Sequence, residues 1–132
     1  MDDHGRWVRR EAIVEASSSE VWEALTDERL LSEWLADEAE LDPVPGGRAS
    51  FRFADGECRQ GTVLAAEEER SLSFSWTRPG EMESVVELTI EPASAGTRIV
   101  VVERGPAAKA LAGAEWTRRL DAFVEALSLV AA

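Results

Sequence analysis

The chain has 132 residues and carries 26 acidic against 14 basic side chains, a formal charge of −12. A length of this order fits one domain with a self-sufficient core, here residues 1–132, and its acidic surface repels phosphate backbones and anionic headgroups, which argues against nucleic acid and membrane surfaces as partners. Cys58 is the only cysteine and His4 the only histidine, so an internal disulfide and a Cys/His zinc cluster are both excluded.

The N-terminal "MDDHGRWVRR" lacks an apolar segment with a small-residue cleavage site, and no apolar run approaches the ~20 residues that span a bilayer, so a cytoplasmic location is expected. Trp7 to Ala16 is free of Gly and Pro and rich in strand formers, and reads as a first strand. Ser17 and Glu20 stand in the N-cap and N3 relation of a capping box, opening a helix with Val21, Trp22, Ala24 and Leu25 on its apolar side. Thr26 and Asp27 break it, and Asp27 caps a second short helix that carries Leu30, Leu31 and Trp34.

"DPVPGG", Asp42 to Gly47, marks the turn into a long β region. There Ala49, Phe51 and Phe53 alternate with Arg48, Ser50 and Arg52, and Asp55-Gly56 signals a hairpin. Counting from a two-residue turn pairs Phe53 with Cys58, Phe51 with Gln60 and Ala49 with Thr62. Cys58, Gln60, Thr62 and Leu64 are then expected on the phenylalanine face, with Arg52 and Arg59 solvated on the other.

In "RSLSFSW", Leu72, Phe74 and Trp76 alternate with serines, and Val86, Leu88 and Ile90 form one face of the next strand. "TRIVVVER" is apolar on both faces, and its outward Val100 and Val102 offer a homodimer contact. Pro106 suits the first turn of a final helix, in which Trp116, Leu120, Phe123, Leu127 and Val130 align on one stripe at 4-3-4-3 spacing, with Arg118, Arg119, Asp121 and Glu125 elsewhere on the wheel. One strand, two short helices, about six further antiparallel strands and a long helix make an α+β domain, a curved antiparallel sheet wrapped around its C-terminal helix.

"VWEALTDERLLSEWL", Gly61, "RSLSFSW", "GTRIVVVERG" and "EWTRRLDAFVEAL" occur in that order. Over nearly its whole length the chain resembles the SRPBCC (START-like, Bet v 1-like) superfamily, and within it the activator of HSP90 ATPase-like family. The resemblance implies the helix-grip fold, in which two short helices plug one end of the sheet and a cavity lies between sheet and long helix. Trp22 and Trp34 are then structural plugs, or Trp34 a lid over the cavity mouth.

A cavity of that kind takes its aromatic lining from Phe51, Phe53, Leu72, Phe74, Trp76, Trp116, Leu120 and Phe123, its polar handles from Gln60 and Thr62, and a small wall element from Cys58. Glu103 shares the parity of Ile99 and Val101, which leaves two readings: inward, where desolvation suits a carboxylate to proton transfer, or a strand end in water. "PGG" at Pro45 to Gly47 lacks the partners of a phosphate loop or a dinucleotide fingerprint, so no cofactor and no metal are expected. The leading expectation is a non-catalytic protein that binds a hydrophobic or amphipathic small molecule. Two alternatives follow from the resemblance, a co-chaperone-like module acting on an HSP90-type ATPase and a polyketide cyclase or aromatase-like enzyme using Glu103 and Gln60.

Overall fold

In the computed structural model, which describes residues 7–105 and 110–131, strand β1 (Trp7–Val14) leads into helices α1 (Ser18–Thr26) and α2 (Glu28–Trp34). Six strands follow, β2 (Glu38–Leu41), β3 (Arg48–Arg52), β4 (Cys58–Glu67), β5 (Ser71–Trp76), β6 (Ser84–Ala93) and β7 (Gly96–Arg104), and then helix α3 (Ala110–Ala131). They form one antiparallel seven-stranded sheet in the order β1-β7-β6-β5-β4-β3-β2, with α3 on its inner face: the helix-grip fold. His4 and Pro106 lie outside the described residues, as does the side chain of Val130.

The short helices form where local chemistry satisfies their ends. The Ser17 hydroxyl accepts from the Glu20 backbone N–H at 3.1 Å, and the Glu20 carboxylate accepts from the Ser17 N–H at 2.9 Å. Asp27 closes α1 through its own backbone N–H and opens α2 by accepting from the N–H groups of Arg29 and Leu30, so one residue serves both helices. The Glu28 carboxylate then accepts from the Leu41 N–H at 3.0 Å, tying α2 to β2. The chain pattern did not suggest β2, whose "EAEL" is too short and too acidic to announce a strand.

The core is the meeting of the α3 stripe with the inner faces of the strands. Trp116, Leu120, Phe123 and Leu127 are buried against Phe51, Leu72, Phe74 and Trp76. Each buried side chain of this size contributes roughly 1.5–3 kcal/mol, so the stripe dominates the stability of the fold.

The β3–β4 hairpin departs from the expected register. Arg52 pairs with Cys58, Phe51 with Arg59, Ser50 with Gln60 and Arg48 with Thr62, one residue away from the two-residue-turn count. The loop holds three residues, Ala54-Asp55-Gly56, with Gly56 at φ +88 and the Phe53 N–H donating to the Glu57 carbonyl at 2.8 Å. Asp55 caps the Glu57 N–H with its side chain at 2.8 Å instead of sitting in a two-residue turn.

A one-residue slip exchanges the faces of a strand. Cys58, Gln60, Thr62 and Leu64 therefore project outward, and Arg59, expected in solvent, turns into the core side of the sheet. Cys58 in the folded protein is expected to react with a thiol reagent at a rate close to that of the unfolded chain. The strong protection of a core thiol would instead restore the two-residue turn.

On the outer face of the sheet, Val100 is only 7% exposed although it points away from the core. Its β1 neighbour Glu11 joins Arg9 at 3.0 Å and Arg98 at 3.8 Å, and Arg98 reaches Glu91 at 3.3 Å. These long side chains lie over the valine, so the outward apolar row presents little free area.

Candidate functional site

The space expected to hold a cavity is filled by rings. Phe51 lies 5.4 Å from Phe74 and 5.5 Å from Trp76, Phe74 lies 5.5 Å from Trp76, and Trp76 stacks on Trp116 at 6.0 Å with 24° between planes. Among the described residues the sheet and α3 thus meet aromatic on aromatic, each such pair contributing about 0.5–1.5 kcal/mol beyond area burial. A separate space of about 60 Å3 lies beside Trp34 and Phe123, between α1, α2 and α3 and not under the sheet.

Glu103 is buried in this aromatic layer, 4% exposed. One carboxylate oxygen accepts from the Trp76 indole N–H at 2.8 Å and the Ser84 hydroxyl at 2.6 Å, and the other accepts from the Trp116 indole N–H at 2.8 Å. Both oxygens face donors, so the residue orients two stacked indoles, and a ligand proton could reach it only by displacing one of them. Glu103 thus takes the inward of its two expected placements, and its partners lie 27, 19 and 13 residues away and leave no local signal.

Above the indoles sit two arginines. The guanidinium carbon of Arg59 lies 4.5 Å from the Trp76 ring centre and 5.1 Å from that of Phe53. That of Arg119 lies 4.8 Å from Trp116, 5.3 Å from Phe53 and 5.6 Å from Trp76. Cations over indole faces gain about 0.5–2 kcal/mol, most where water is excluded, which offsets part of the cost of burying two like charges together.

Their carboxylate partners are unequal. Arg59 donates from Nε to Glu57 at 3.3 Å, and Glu57 also joins Arg78 at 2.8 Å. Arg119 has Glu115 at 3.8 Å, which also lies 3.9 Å from Arg59, and its buried Nη1 has no hydrogen-bond partner among the described residues. Burial, and next the charge of Arg59, push the Arg119 guanidinium down to about 10, so it remains charged at neutral pH.

Arg119 also lines an open cleft of about 280 Å3, where the end of α2, the β3–β4 loop and α3 converge. Trp34, Leu35 and Ala36 form one wall, Phe53 and Ala54 a second, and Arg118, Arg119 and Ala122 a third, with Ser32, Glu33 and Asp37 completing the rim. Trp34 is anchored from two sides. Its indole N–H donates to the Ala24 carbonyl at 2.9 Å, and its ring packs edge-on against Phe123 at 4.9 Å.

Of the residues expected to line a ligand site, Phe51, Phe74, Trp76, Glu103, Trp116, Leu120 and Phe123 lie together in the core, and Trp34 and Phe53 reach the cleft. Cys58, Gln60 and Thr62 lie on the opposite face of the sheet. The sequence reading missed Arg59, through the hairpin register, and Arg119. The latter sits three residues after Trp116 and four before Phe123, on the flank of the apolar stripe, and that spacing was the available signal.

The family model described as "Activator of Hsp90 ATPase homolog 1-like protein" matches residues 15–128. No curated protein matches this chain significantly. Among solved structures, protein MLL2253 from Mesorhizobium loti is 24% identical with a TM-score of 0.85, the match covering 93% of this chain and 97% of that one. DynU16, a protein in the dynemicin biosynthetic locus, is 26% identical with a TM-score of 0.85, over 97% of this chain but 48% of its own. CalU16 from Micromonospora echinospora is 27% identical with a TM-score of 0.74, over 92% of this chain and 74% of that one. Among the described residues no helix is long and apolar enough to cross a membrane.

Proposed function

Because this chain belongs to the activator of Hsp90 ATPase homolog 1-like family, a helix-grip framework with an open end, we propose that it binds an amphipathic small molecule in the cleft between α2, the β3–β4 loop and α3, without covalent chemistry. The observation that carries this reading is the mixed composition of the cleft: about 280 Å3, with Trp34, Leu35, Phe53 and Ala122 among its apolar residues and Ser32, Glu33, Asp37, Arg118 and the nearly buried Arg119 among its polar ones. Five of its eleven lining residues are polar or charged, which suits an amphipathic ligand, and the volume lies near the lower end of the range for small ligands. The likeness to a protein of a small-molecule biosynthetic locus supports it from a second side.

The filled interior narrows the reading. A ligand docks at the mouth of the grip and not under α3, since Phe51, Phe74, Trp76 and Trp116 occupy that space.

Native mass spectrometry of freshly purified protein is expected to show a discrete added mass that is lost on denaturation, and the same spectrum reads the oligomeric mass. Ala122→Trp, which fills the cleft from the α3 side, is expected to abolish the added mass while leaving the far-UV circular dichroism unchanged. Retention of the added mass by Ala122→Trp would place the ligand elsewhere. Stimulation of an HSP90-type ATPase by saturating protein, unaffected by Ala122→Trp, would replace the small-molecule reading with a protein-directed one.

A further inference from the structure

Resting on the cleft reading above, we infer that the ligand class is a planar organic monoanion, an aromatic or conjugated carboxylate whose charge meets Arg119 and whose ring lies against Phe53 and Trp34. The inference starts from an imbalance. Arg119 is a nearly buried cation, its side chain 11% exposed, yet Glu115 stands at 3.8 Å, beyond hydrogen-bond reach, and serves Arg59 as well. Its Nη1 has no hydrogen-bond partner among the described residues. Buried donors are almost always paired, so this one marks a place for an acceptor that the described residues do not supply.

The shape of the group narrows the acceptor. A guanidinium presents its N–H donors as a planar fork that matches a carboxylate in a bidentate pair, and neutral acceptors gain about half as much from it. Aromatic rings lie beside it: Phe53 is half-buried, with Arg119 over its ring at 5.3 Å and Arg59 at 5.1 Å, and Trp34, mostly buried, shows an edge to the cleft.

The rim carries Glu33 and Asp37, which repel anions, and Arg118, which attracts them, and all three are exposed. Charges in water are screened within about 8–10 Å at ordinary ionic strength, whereas a charge lodged against Arg119 in the wall is not. The arrangement therefore admits one inward negative charge against Arg119, with a rim of mixed charge around it.

Within the fold Arg119 gains from the rings of Trp116, Phe53 and Trp76 but has no carboxylate within hydrogen-bond reach among the described residues. Replacing a buried, poorly paired charge by an apolar side chain of similar length is often neutral or stabilising. Arg119→Met is accordingly expected to melt no lower than the wild type, which keeps the binding test free of unfolding.

The experiment titrates 2-naphthoate and its neutral isostere 2-naphthamide into the full chain at pH 7, read by tryptophan fluorescence and calorimetry. Wild-type protein is expected to bind naphthoate at least about tenfold more tightly than naphthamide, and Arg119→Met to abolish that difference, with naphthoate losing more affinity than naphthamide. Equal affinity for the two probes in the wild type would overturn the anion inference and leave the cleft reading standing. Preference for naphthoate that survives in Arg119→Met would overturn the assignment to Arg119. Absence of binding by either probe, with Ala122→Trp indistinguishable from wild type, would remove the cleft reading as well.

Discussion

Replacing Glu103 by glutamine is expected to lower the unfolding free energy by about 3 kcal/mol, and the melting temperature by about 10 °C. The carboxylate takes three hydrogen bonds, from Trp76, Trp116 and Ser84, and every partner arrives as a donor. Glutamine offers one accepting oxygen and one donating nitrogen. Whichever way its amide is turned, the nitrogen faces an indole N–H that can only donate, and one buried indole loses its partner.

A buried unsatisfied donor costs roughly 1–3 kcal/mol, and the lost charge assistance on the remaining bonds adds to it. Arg119 also loses the attraction of the nearest core carboxylate. Urea denaturation measures the loss, and near-ultraviolet circular dichroism reads the cause, because the Trp76–Trp116 stack at 6.0 Å loses its fixed geometry. A destabilisation below about 1 kcal/mol, within the range of an ordinary neutral hydrogen bond, would show that Glu103 does not organise the aromatic layer.

A second substitution is expected to be harsher. Gly61 lies in β4 where that strand presses onto β5, and a Cβ built on it would meet the Ser75 carbonyl oxygen at 1.7 Å and its carbonyl carbon at 2.4 Å. The obstacle is backbone on both counts, and it is held in place. The Ser75 hydroxyl accepts from the Thr62 N–H at 3.2 Å, and Gln60 and Thr77 exchange backbone bonds at 3.1 and 3.0 Å. No rotamer change relieves the clash, so the two strands must separate.

Gly61→Ala is therefore expected to cost more than about 4 kcal/mol, or to leave the chain insoluble. Gly56→Ala, in the hairpin loop with open space around it and only a left-handed backbone to strain, is expected to cost about 1 kcal/mol. Soluble yield and urea midpoints of the two variants check the contrast. Equal effects would mean that the strands at Gly61 part without difficulty.

Where the structure follows local rules, the sequence was a good guide. The capping box at Ser17, the shared cap at Asp27 and the stripe from Trp116 to Leu127 each depend on residues within a few positions of one another. The hairpin shows the limit. Asp55-Gly56 serves a two-residue turn and a three-residue loop equally well, and only the strand partners decide between them.

That single ambiguity moved Cys58, Gln60 and Thr62 out of the expected site and put Arg59 over Trp76. A buried arginine contradicts its own prior, since arginine is mostly exposed. It is tolerated here because Trp76 of β5 and Phe53 and Glu57 of the β3–β4 hairpin meet it together. The strand β2 was hidden for a related reason: it is held by the β3 edge, the Glu28 carboxylate and the burial of Leu41, none of which a four-residue acidic segment announces locally.

The joint at Asp27 bears on how sequences of this shape can change length. No spacer separates α1 from α2, and each residue of an α-helix turns the chain by about 100°. One inserted residue at that corner would rotate α2 away from its seat, taking Trp34 off Phe123 and Leu31 out of the core. The corner is thus closed to insertion and deletion, while the three-residue loop across the cleft projects into open space. Diversification of the binding mouth by length change has one available route, the loop at Ala54 to Gly56, with the helical wall staying constant in shape.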